Sequence, residues 1–136
     1  MFSVHDCIKV PLQKIKSSEG NLVALENGVN MPFDIKRIYY LYDVPFGSER
    51  GGHAHQELEQ YLVALSGSFT VTVDDGLQRK EIFMNNPSEA LFLKEGIWRE
   101  INNFSSGSIC LVLASKEFSE ADYIRDYQDF LNFRAR

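Results

Sequence analysis

Two of the chain's three histidines lie one residue apart, in the stretch SERGGHAHQELEQ that covers residues 48–60. If this stretch is a β-strand, His53 and His55 project from the same face, about 6.6 Å apart along it. Such a pair can chelate a metal when other strands supply further ligands. It can also transfer protons, because histidine titrates close to neutral pH, or it can simply fill a core. The accompanying residues decide between these roles.

The elements that position the pair are predicted to be β-strands. Short apolar or alternating segments separated by turn residues continue to about residue 115, which is typical of a β-sandwich or barrel. In SFTVTVDDG, Phe69, Val71 and Val73 alternate with threonines, so one face should be apolar and the other wet. The strands are predicted at 21–26, 35–43 and 60–67 and in SFTVTV, LQRKEIFM, EALFLKEG and SICLVLAS, with turns at Ser66-Gly67-Ser68 and Asp75-Gly76.

Near the C-terminus the spacing of the apolar residues changes from that of a strand to that of a helix. After Ser119, with Asp122 three residues on, apolar residues recur at helical spacing. These apolar residues are Ile124, Tyr127, Phe130 and Leu131. The pattern predicts a short C-terminal helix that packs its apolar stripe against the sheet.

Composition narrows the class of protein. The chain has 136 residues, 44% apolar and 24% charged, which fits one globular domain over residues 1–136. A formal net charge of -5 argues against nucleic acid as a partner. Cys7 and Cys110 are far apart and predict buried free thiols in a reducing compartment. No apolar stretch nears the roughly 20 residues of a membrane span, so we expect no membrane association and a cytoplasmic protein.

The stretch GHAHQELEQYLVALSG, residues 52–67, resembles the first motif of the cupin superfamily. The resemblance implies an all-β cupin double-stranded β-helix, or jelly roll. Metal-binding cupins add a glutamate in this motif and a histidine in a second one, but here those positions hold Gln60 and Arg99. Because arginine stays cationic and cannot ligate a metal, we expect no metal site and regard a metal-dependent oxygenase as a distant alternative.

Within the cupins the chain is similar to the dTDP-4-keto-6-deoxyglucose 3,4-ketoisomerases of deoxysugar biosynthesis. The stretches that carry the similarity are IKRIYYLYDVP (35–45), RGGHAHQELEQ (50–60), GSFTVTVDDG (67–76), GIWREINNFSSGSICLVLAS (96–115) and DYIRDYQDF (122–130). The similarity implies a dTDP-linked 4-keto-6-deoxy sugar as substrate and no cofactor. It also implies a homodimer that exchanges N-terminal strands, for which the run CIKVPL is suited, although this run fits an in-chain edge strand nearly as well.

The residues suit this chemistry. Moving a ketone from C4 to C3 takes a proton from C3 and delivers one to C4 through an enediol, so we expect His53 and His55 to transfer the protons. The residues leave open which histidine works on carbon; we favour His55, with His53 relaying protons between oxygens. Arg99 would stabilise the oxyanion, and Tyr39 would donate a proton or bind a sugar hydroxyl.

Four further residues are candidates for substrate binding. Arg37 shares a strand face with Tyr39, and Arg50 could pair with the diphosphate. Gln60 lies near the histidines in sequence, and Trp98 could stack on the base. Arg37 and Arg50 fit a solvated surface about as well, and a lone tryptophan more often belongs to a core.

Two other functions remain open. A 3,5-epimerase acting on the same substrate would also use a histidine base and would exchange protons at C5 as well as C3. A non-catalytic sugar-binding cupin would bind the nucleotide sugar and leave it unchanged.

Overall fold

The computed structural model describes residues 1–136, except for the solvent exposure of Gly51. Antiparallel strands build the structure, and one short helix ends it. The strands are β1 (Ile8–Pro11), β2 (Ile15–Ser17), β3 (Gly20–Leu22), β4 (Arg37–Tyr42), β5 (Arg50–His55), β6 (Gln60–Ser66), β7 (Phe69–Asp74), β8 (Arg79–Met84), β9 (Glu89–Leu93), β10 (Trp98–Asn102), β11 (Ile109–Ala114) and β12 (Tyr123–Ile124). The helix, α1, is Tyr127–Arg134. Single 3-10 turns cover Val4–Asp6 and Glu120–Asp122.

The strands form two five-stranded sheets that face each other. The first sheet has the order β1-β9-β6-β11-β4, and the second has the order β12-β5-β10-β7-β8. A separate hairpin, β2-β3, pairs with neither sheet in the described structure. The main core lies between the sheets and includes Leu62, Phe69, Val71, Val73, Leu91 and Ile97.

The alternation predicted for β7 is confirmed on its apolar face. Phe69, Val71 and Val73 have no exposed surface. Thr72, on the face expected to be wet, is also buried, because β7 lies between β8 and β10 and their side chains flank it. The predicted turn after β7 is present: the Asp75 N–H donates to the Gln78 carbonyl.

The strand predicted over residues 21–26 is wrong beyond Leu22. Residues 23–26 are irregular, and a turn follows at residues 27–30. Leu25 and Phe33 instead pack on Tyr61 and Val63, on the outer face of the first sheet. The apolar residues of this segment therefore cover a sheet face, a use that the local pattern does not distinguish from strand pairing.

The C-terminal helix begins later than the sequence pattern predicts. Asp126, not Ser119, caps it, because the Asp126 carboxylate accepts the Asp129 N–H. Ile124, expected in the helix, pairs instead with Ala54 as part of β12. The predicted packing of the helix is confirmed, since Phe130 is fully buried against the second sheet.

This late helix start lets β12 add an edge to the second sheet beside the histidines. Tyr123 of β12 is the register partner of His55 on β5. On the other side of β5, Arg99 of β10 is the register partner of His53. Directly opposed residues of antiparallel strands point to the same face, so β5, β10 and β12 bring these four side chains together. The helix of the described structure is too short to cross a bilayer.

Candidate active site

A cavity of about 510 Å³ opens between the two sheets. Six of the residues predicted for the site line it: Arg37, Tyr39, Arg50, His53, Gln60 and Arg99. Its lining also includes Glu49, Phe118, Tyr123 and Arg125, which the sequence analysis did not single out, and apolar side chains such as Leu62 and Ile101.

Strand β4 presents the face expected from its alternation. Arg37 and Tyr39 line the cavity, whereas Ile38, Tyr40 and Tyr42 are largely exposed on the outer face. The predicted assignment of the two faces is confirmed. Arg37 and Tyr39 are therefore partly buried polar groups that face an open space of ligand size.

His53 and His55 form a directly bonded pair. Their Nε2 atoms lie 3.1 Å apart, and their rings are nearly perpendicular, at 87°. His53 lines the cavity, whereas His55 is 0% exposed and lies outside the lining. The Tyr123 ring packs on both, with its centroid 4.9 Å from that of His53 and 4.3 Å from that of His55.

This placement favours His53 for the reaction at carbon, whereas the sequence favoured His55. A ring that deprotonates carbon must reach the substrate, and of the pair only His53 lines the cavity. His55 contacts the cavity through His53. Strand alternation puts both histidines on one face, but it does not reveal how deeply each is buried. Their burial depends on how β12 covers β5.

Both imidazoles are neutral at physiological pH. Burial, reinforced by Arg99 and by Arg125 and Arg37, lowers the pKa of His53 to about 3. Burial and the same cations lower the pKa of His55 as well. The Asp122 carboxylate lies 3.3 Å from Nδ1 of His55. A neutral imidazole has one N–H and one lone pair, so each ring of the pair is both donor and acceptor.

Arg99, Gln60 and Tyr39 form a chain of hydrogen bonds. Arg99 Nη1 donates to Oε1 of Gln60 over 2.7 Å, and Gln60 Nε2 donates to the Tyr39 hydroxyl oxygen over 3.2 Å. Because arginine only donates, it fixes which end of the Gln60 amide faces which partner. The Tyr39 O–H is left free to donate onward, and burial raises its pKa, so it stays protonated.

Arg99 is a buried cation without an anion. Its side chain is about 1% exposed. Nε donates to the carbonyl of Ile97, but the buried Nη2 has no hydrogen-bond partner among the described residues. Within the described part of the chain, Arg99 forms no ion pair with a carboxylate. Buried charges are ordinarily paired, so the open position at Nη2 suits a negatively charged group of a ligand.

The residues do not fit a metal. The positions that would complete a cupin metal site hold Arg99 and Gln60, which bond to each other. Among the described residues, no group of three or more histidine, cysteine, aspartate or glutamate side chains could enclose an ion.

Three further arginines surround the cavity. Arg37 places its guanidinium 4.9 Å from the centroid of the Tyr39 ring, and its buried Nε has no hydrogen-bond partner in the part of the chain that the structure describes. Arg50 is exposed, and Arg125 makes a two-bond pair with Glu120. With Arg99 these residues make the cavity locally cationic in a chain whose net charge is -5.

Trp98 does not belong to the cavity, so the suggestion that it stacks on a base is wrong. It is 5% exposed and packs edge-on against Tyr127 and beside Phe130 of α1. Adjacent residues of a strand point to opposite faces. If Arg99 faces the cavity, its neighbour Trp98 must face the helix, and this signal was available in the sequence.

Tyr123 and Arg125 line the cavity but were not among the site residues predicted from the sequence. Both follow the 3-10 turn, in a segment that was assigned to the helix. An extended reading of residues 123–125 would have placed them two apart on one face. The signal was present in DYIRDYQDF, but the assumed helical period concealed it.

Comparison with known proteins identifies the family. The family model described as "FdtA: WxcM-like, C-terminal" matches residues 5–135. The TDP-4-oxo-6-deoxy-alpha-D-glucose-3,4-oxoisomerase of Aneurinibacillus thermoaerophilus is 43% identical over 127 residues, which cover 93% of this chain and 91% of that protein.

Similar solved structures are also 3,4-ketoisomerases. A 3,4-ketoisomerase from Helicobacter canadensis is 44% identical, with a TM-score of 0.93 over 96% of this chain and 98% of that one. The sugar 3,4-ketoisomerase QdtA from Thermoanaerobacterium thermosaccharolyticum, solved with TDP, is 34% identical, with a TM-score of 0.94 over 97% of this chain and 96% of that one. A histidine-to-asparagine variant of QdtA was solved with TDP-4-keto-6-deoxyglucose.

A more distant protein is similar in fold alone. An epimerase from Mycobacterium tuberculosis has a TM-score of 0.71 over 85% of this chain and 66% of that one, at 16% identity. The predicted all-β cupin fold with a short C-terminal helix is confirmed. By the family match and by its close relatives, the chain belongs to the FdtA, WxcM-like family of dTDP-sugar 3,4-ketoisomerases.

Proposed function

We propose that the protein converts TDP-4-keto-6-deoxyglucose to a TDP-3-keto-6-deoxyhexose by proton transfer from the His53–His55 pair, without a metal. One observation carries this proposal. Arg99, a buried arginine whose Nη2 has no partner in the described structure, lines the same cavity as His53, whose neutral ring is bonded to that of His55. The cavity thus combines a base with a site that favours negative charge, which enolisation of a ketone requires.

The reaction begins at C3, beside the C4 carbonyl. His53 removes the C3 proton, and the electrons of the C–H bond form the C3–C4 double bond while the C4 oxygen becomes an oxyanion. A base acts in its unprotonated form, so the low pKa of His53 keeps it ready for this step at neutral pH. Its second ring nitrogen, bonded to His55, allows the added charge to be shared.

The oxyanion is stabilised by the chain from Arg99 to Tyr39. Nη2 of Arg99 supplies a charged donor that has no partner in the described structure. The Tyr39 hydroxyl, polarised through Gln60, supplies a second donor. Charged and polarised donors held in place before the reaction lower the barrier, since they need no rearrangement as the charge develops.

The product forms when C4 takes a proton and the C3 hydroxyl loses its own. The histidine pair returns a proton to C4, and the hydroxyl proton of O3 moves to O4, so the C3 carbonyl forms without a net change of protons or electrons. The face of C4 that receives the proton decides between the galacto and gluco products.

The nucleotide diphosphate is held by the arginines of the cavity. Arg37 has a buried Nε without a partner among the described residues, and the exposed Arg50 also lines the cavity. Arg125 lines the cavity as well and is held by its two hydrogen bonds to Glu120. Arginine pairs with phosphate through two parallel hydrogen bonds, so these three residues suit the diphosphate and leave Arg99 for the sugar.

The test is a proton NMR spectrum of TDP-4-keto-6-deoxyglucose recorded soon after the enzyme is added in D₂O. We expect the signals of a 3-keto sugar and the coupling pattern of one C4 configuration. Exchange at C5 together with C3 would identify a 3,5-epimerase, and an unchanged substrate that nevertheless binds would identify a sugar-binding cupin. Either result would overturn the proposal.

We also propose that the protein is a homodimer, paired through the β2-β3 hairpin. Ile15 is 60% and Leu22 is 54% exposed on this hairpin, which joins neither sheet. β1, from the run CIKVPL, pairs with β9 within the chain, so the hairpin suits an exchange between subunits better. Light scattering at assay concentrations should give the mass of two chains, and removing residues 15–22 should give the mass of one. A monomeric full-length chain would contradict this proposal.

A further inference from the structure

Asp122 is the one carboxylate next to the buried histidine in the described structure. Its Oδ2 lies 3.3 Å from Nδ1 of His55, and this nitrogen has no aligned hydrogen-bond partner. His55 has no exposed surface, so bulk solvent does not reach Nδ1. Hydrogen bonds in active sites are often long or poorly aligned before the substrate binds, and a separation of 3.3 Å fits such a contact.

The backbone of the loop after β5 holds the Asp122 carboxylate in place. The N–H of Glu57 donates to Oδ1 over 2.9 Å, and the N–H of Leu58 donates to Oδ2 over 3.3 Å. The N–H of Gln56 donates to the Asp122 carbonyl over 2.9 Å. The next residue, Tyr123, pairs with His55 across the strands. The carboxylate is thus fixed beside the imidazole.

This contact determines which nitrogen of each ring carries hydrogen. If Nδ1 of His55 carried the lone pair, that lone pair would face a carboxylate oxygen, and the two would repel. Nδ1 of His55 must therefore carry the hydrogen, which makes its Nε2 an acceptor. Nε2 of His53 must then donate across the 3.1 Å contact, and Nδ1 of His53 keeps the lone pair.

We propose that Asp122 is a positioning residue that sets the tautomers of His55 and His53 and so leaves a free base on the ring that lines the cavity. The inference rests on the proposed function for its effect on rate. When His53 takes a proton, the histidine pair becomes positively charged. The Asp122 carboxylate, next to His55, stabilises this positive charge.

A structural role for Asp122 makes a different prediction. As a support for residues 56–58 alone, it would leave the tautomers unchanged when replaced, and the variant would lose stability first. Asp122→Asn separates the two roles. Its amide oxygen still accepts a backbone N–H, but its NH₂ group donates to Nδ1 of His55 and favours the opposite tautomer on both rings.

The experiment uses the full chain labelled with ¹⁵N and requires no substrate for its first arm. Long-range ¹H–¹⁵N spectra of the wild type should show His55 protonated at Nδ1 and His53 protonated at Nε2. Asp122→Asn should exchange both assignments. The matched control is Glu57→Gln, an exposed neighbouring carboxylate, which should match the wild type.

The second arm measures turnover. Asp122→Asn should lower kcat by about 10²-fold or more, the range for loss of a correctly protonated acid–base group, with little change in KM. Glu57→Gln should keep the kcat of the wild type. A wild-type His55 with its lone pair at Nδ1, unchanged tautomers in Asp122→Asn, or a variant with near-normal kcat would each overturn the inference. If the wild type does not turn over the sugar, the proposed function fails, and the tautomer spectra still decide the role of Asp122.

Discussion

The buried, neutral state of His55 predicts a specific loss of stability in acid. The unfolded chain protonates histidine near pH 6.5, whereas folding lowers the pKa of His55 far below that value. As the pH falls below 6.5, the unfolded state gains a proton that the folded state does not take up, so the free energy of unfolding falls. Because the folded-state pKa lies well below this range, linkage gives a loss on the order of 3 kcal/mol between pH 7.5 and pH 4.5.

The assay is urea unfolding at pH 7.5, 6.5, 5.5 and 4.5, monitored by fluorescence. Carboxylates also titrate over this range, so the informative quantity is the difference between the wild type and His55→Asn, which lacks the titrating ring. The wild type should lose on the order of 3 kcal/mol more than His55→Asn, and the control His5→Asn, at an exposed position, should follow the wild type. Parallel curves for the wild type and His55→Asn would show that His55 is not held neutral by burial.

Three further predictions concern the cavity. Arg99→Met should lower kcat by about 10²- to 10³-fold, as for loss of an oxyanion donor. The melting temperature should stay the same or rise, because the substitution removes a buried cation that has no counter-ion in the described structure. A smaller fall in kcat would exclude Arg99 as the oxyanion partner. Tyr39→Phe should lower kcat and leave the affinity for TDP unchanged in calorimetry, and weakened TDP binding would assign Tyr39 to the nucleotide instead. Dialysis against a strong chelator should leave turnover unchanged, and a loss restored by one metal would refute the metal-free mechanism.

Local patterns predicted the faces of the strands well. The alternation in β4 predicted that Arg37 and Tyr39 share one face, and this face lines the cavity. The alternation in β7 predicted one apolar face of Phe69, Val71 and Val73, and this face lies in the core. A period of two is a local property of the chain, so it survives whatever the strand packs against. The same rule applied to β10 would have excluded Trp98 from the cavity once Arg99 was assigned to it.

Properties that depend on distant pairing could not be predicted. Ile124 continues the helical spacing of α1, but pairing with Ala54, 70 positions earlier, makes residues 123 and 124 extended. That edge strand buries His55 and brings Asp122 to it, so the relative depth of the histidines follows from tertiary contacts alone. The Arg99–Gln60 bond likewise joins two strands that the sequence separates by 39 residues.

The most direct test of the account is the turnover of His53→Asn, followed by NMR beside TDP binding and urea unfolding of the same variant. A positioned base contributes about 10² to 10⁴ in rate, and His53 is the ring of the pair that lines the cavity. The account predicts a folded protein that binds TDP like the wild type, forms almost no 3-keto sugar and incorporates almost no deuterium at C3 or C4. A His53→Asn variant with near-normal kcat would contradict it.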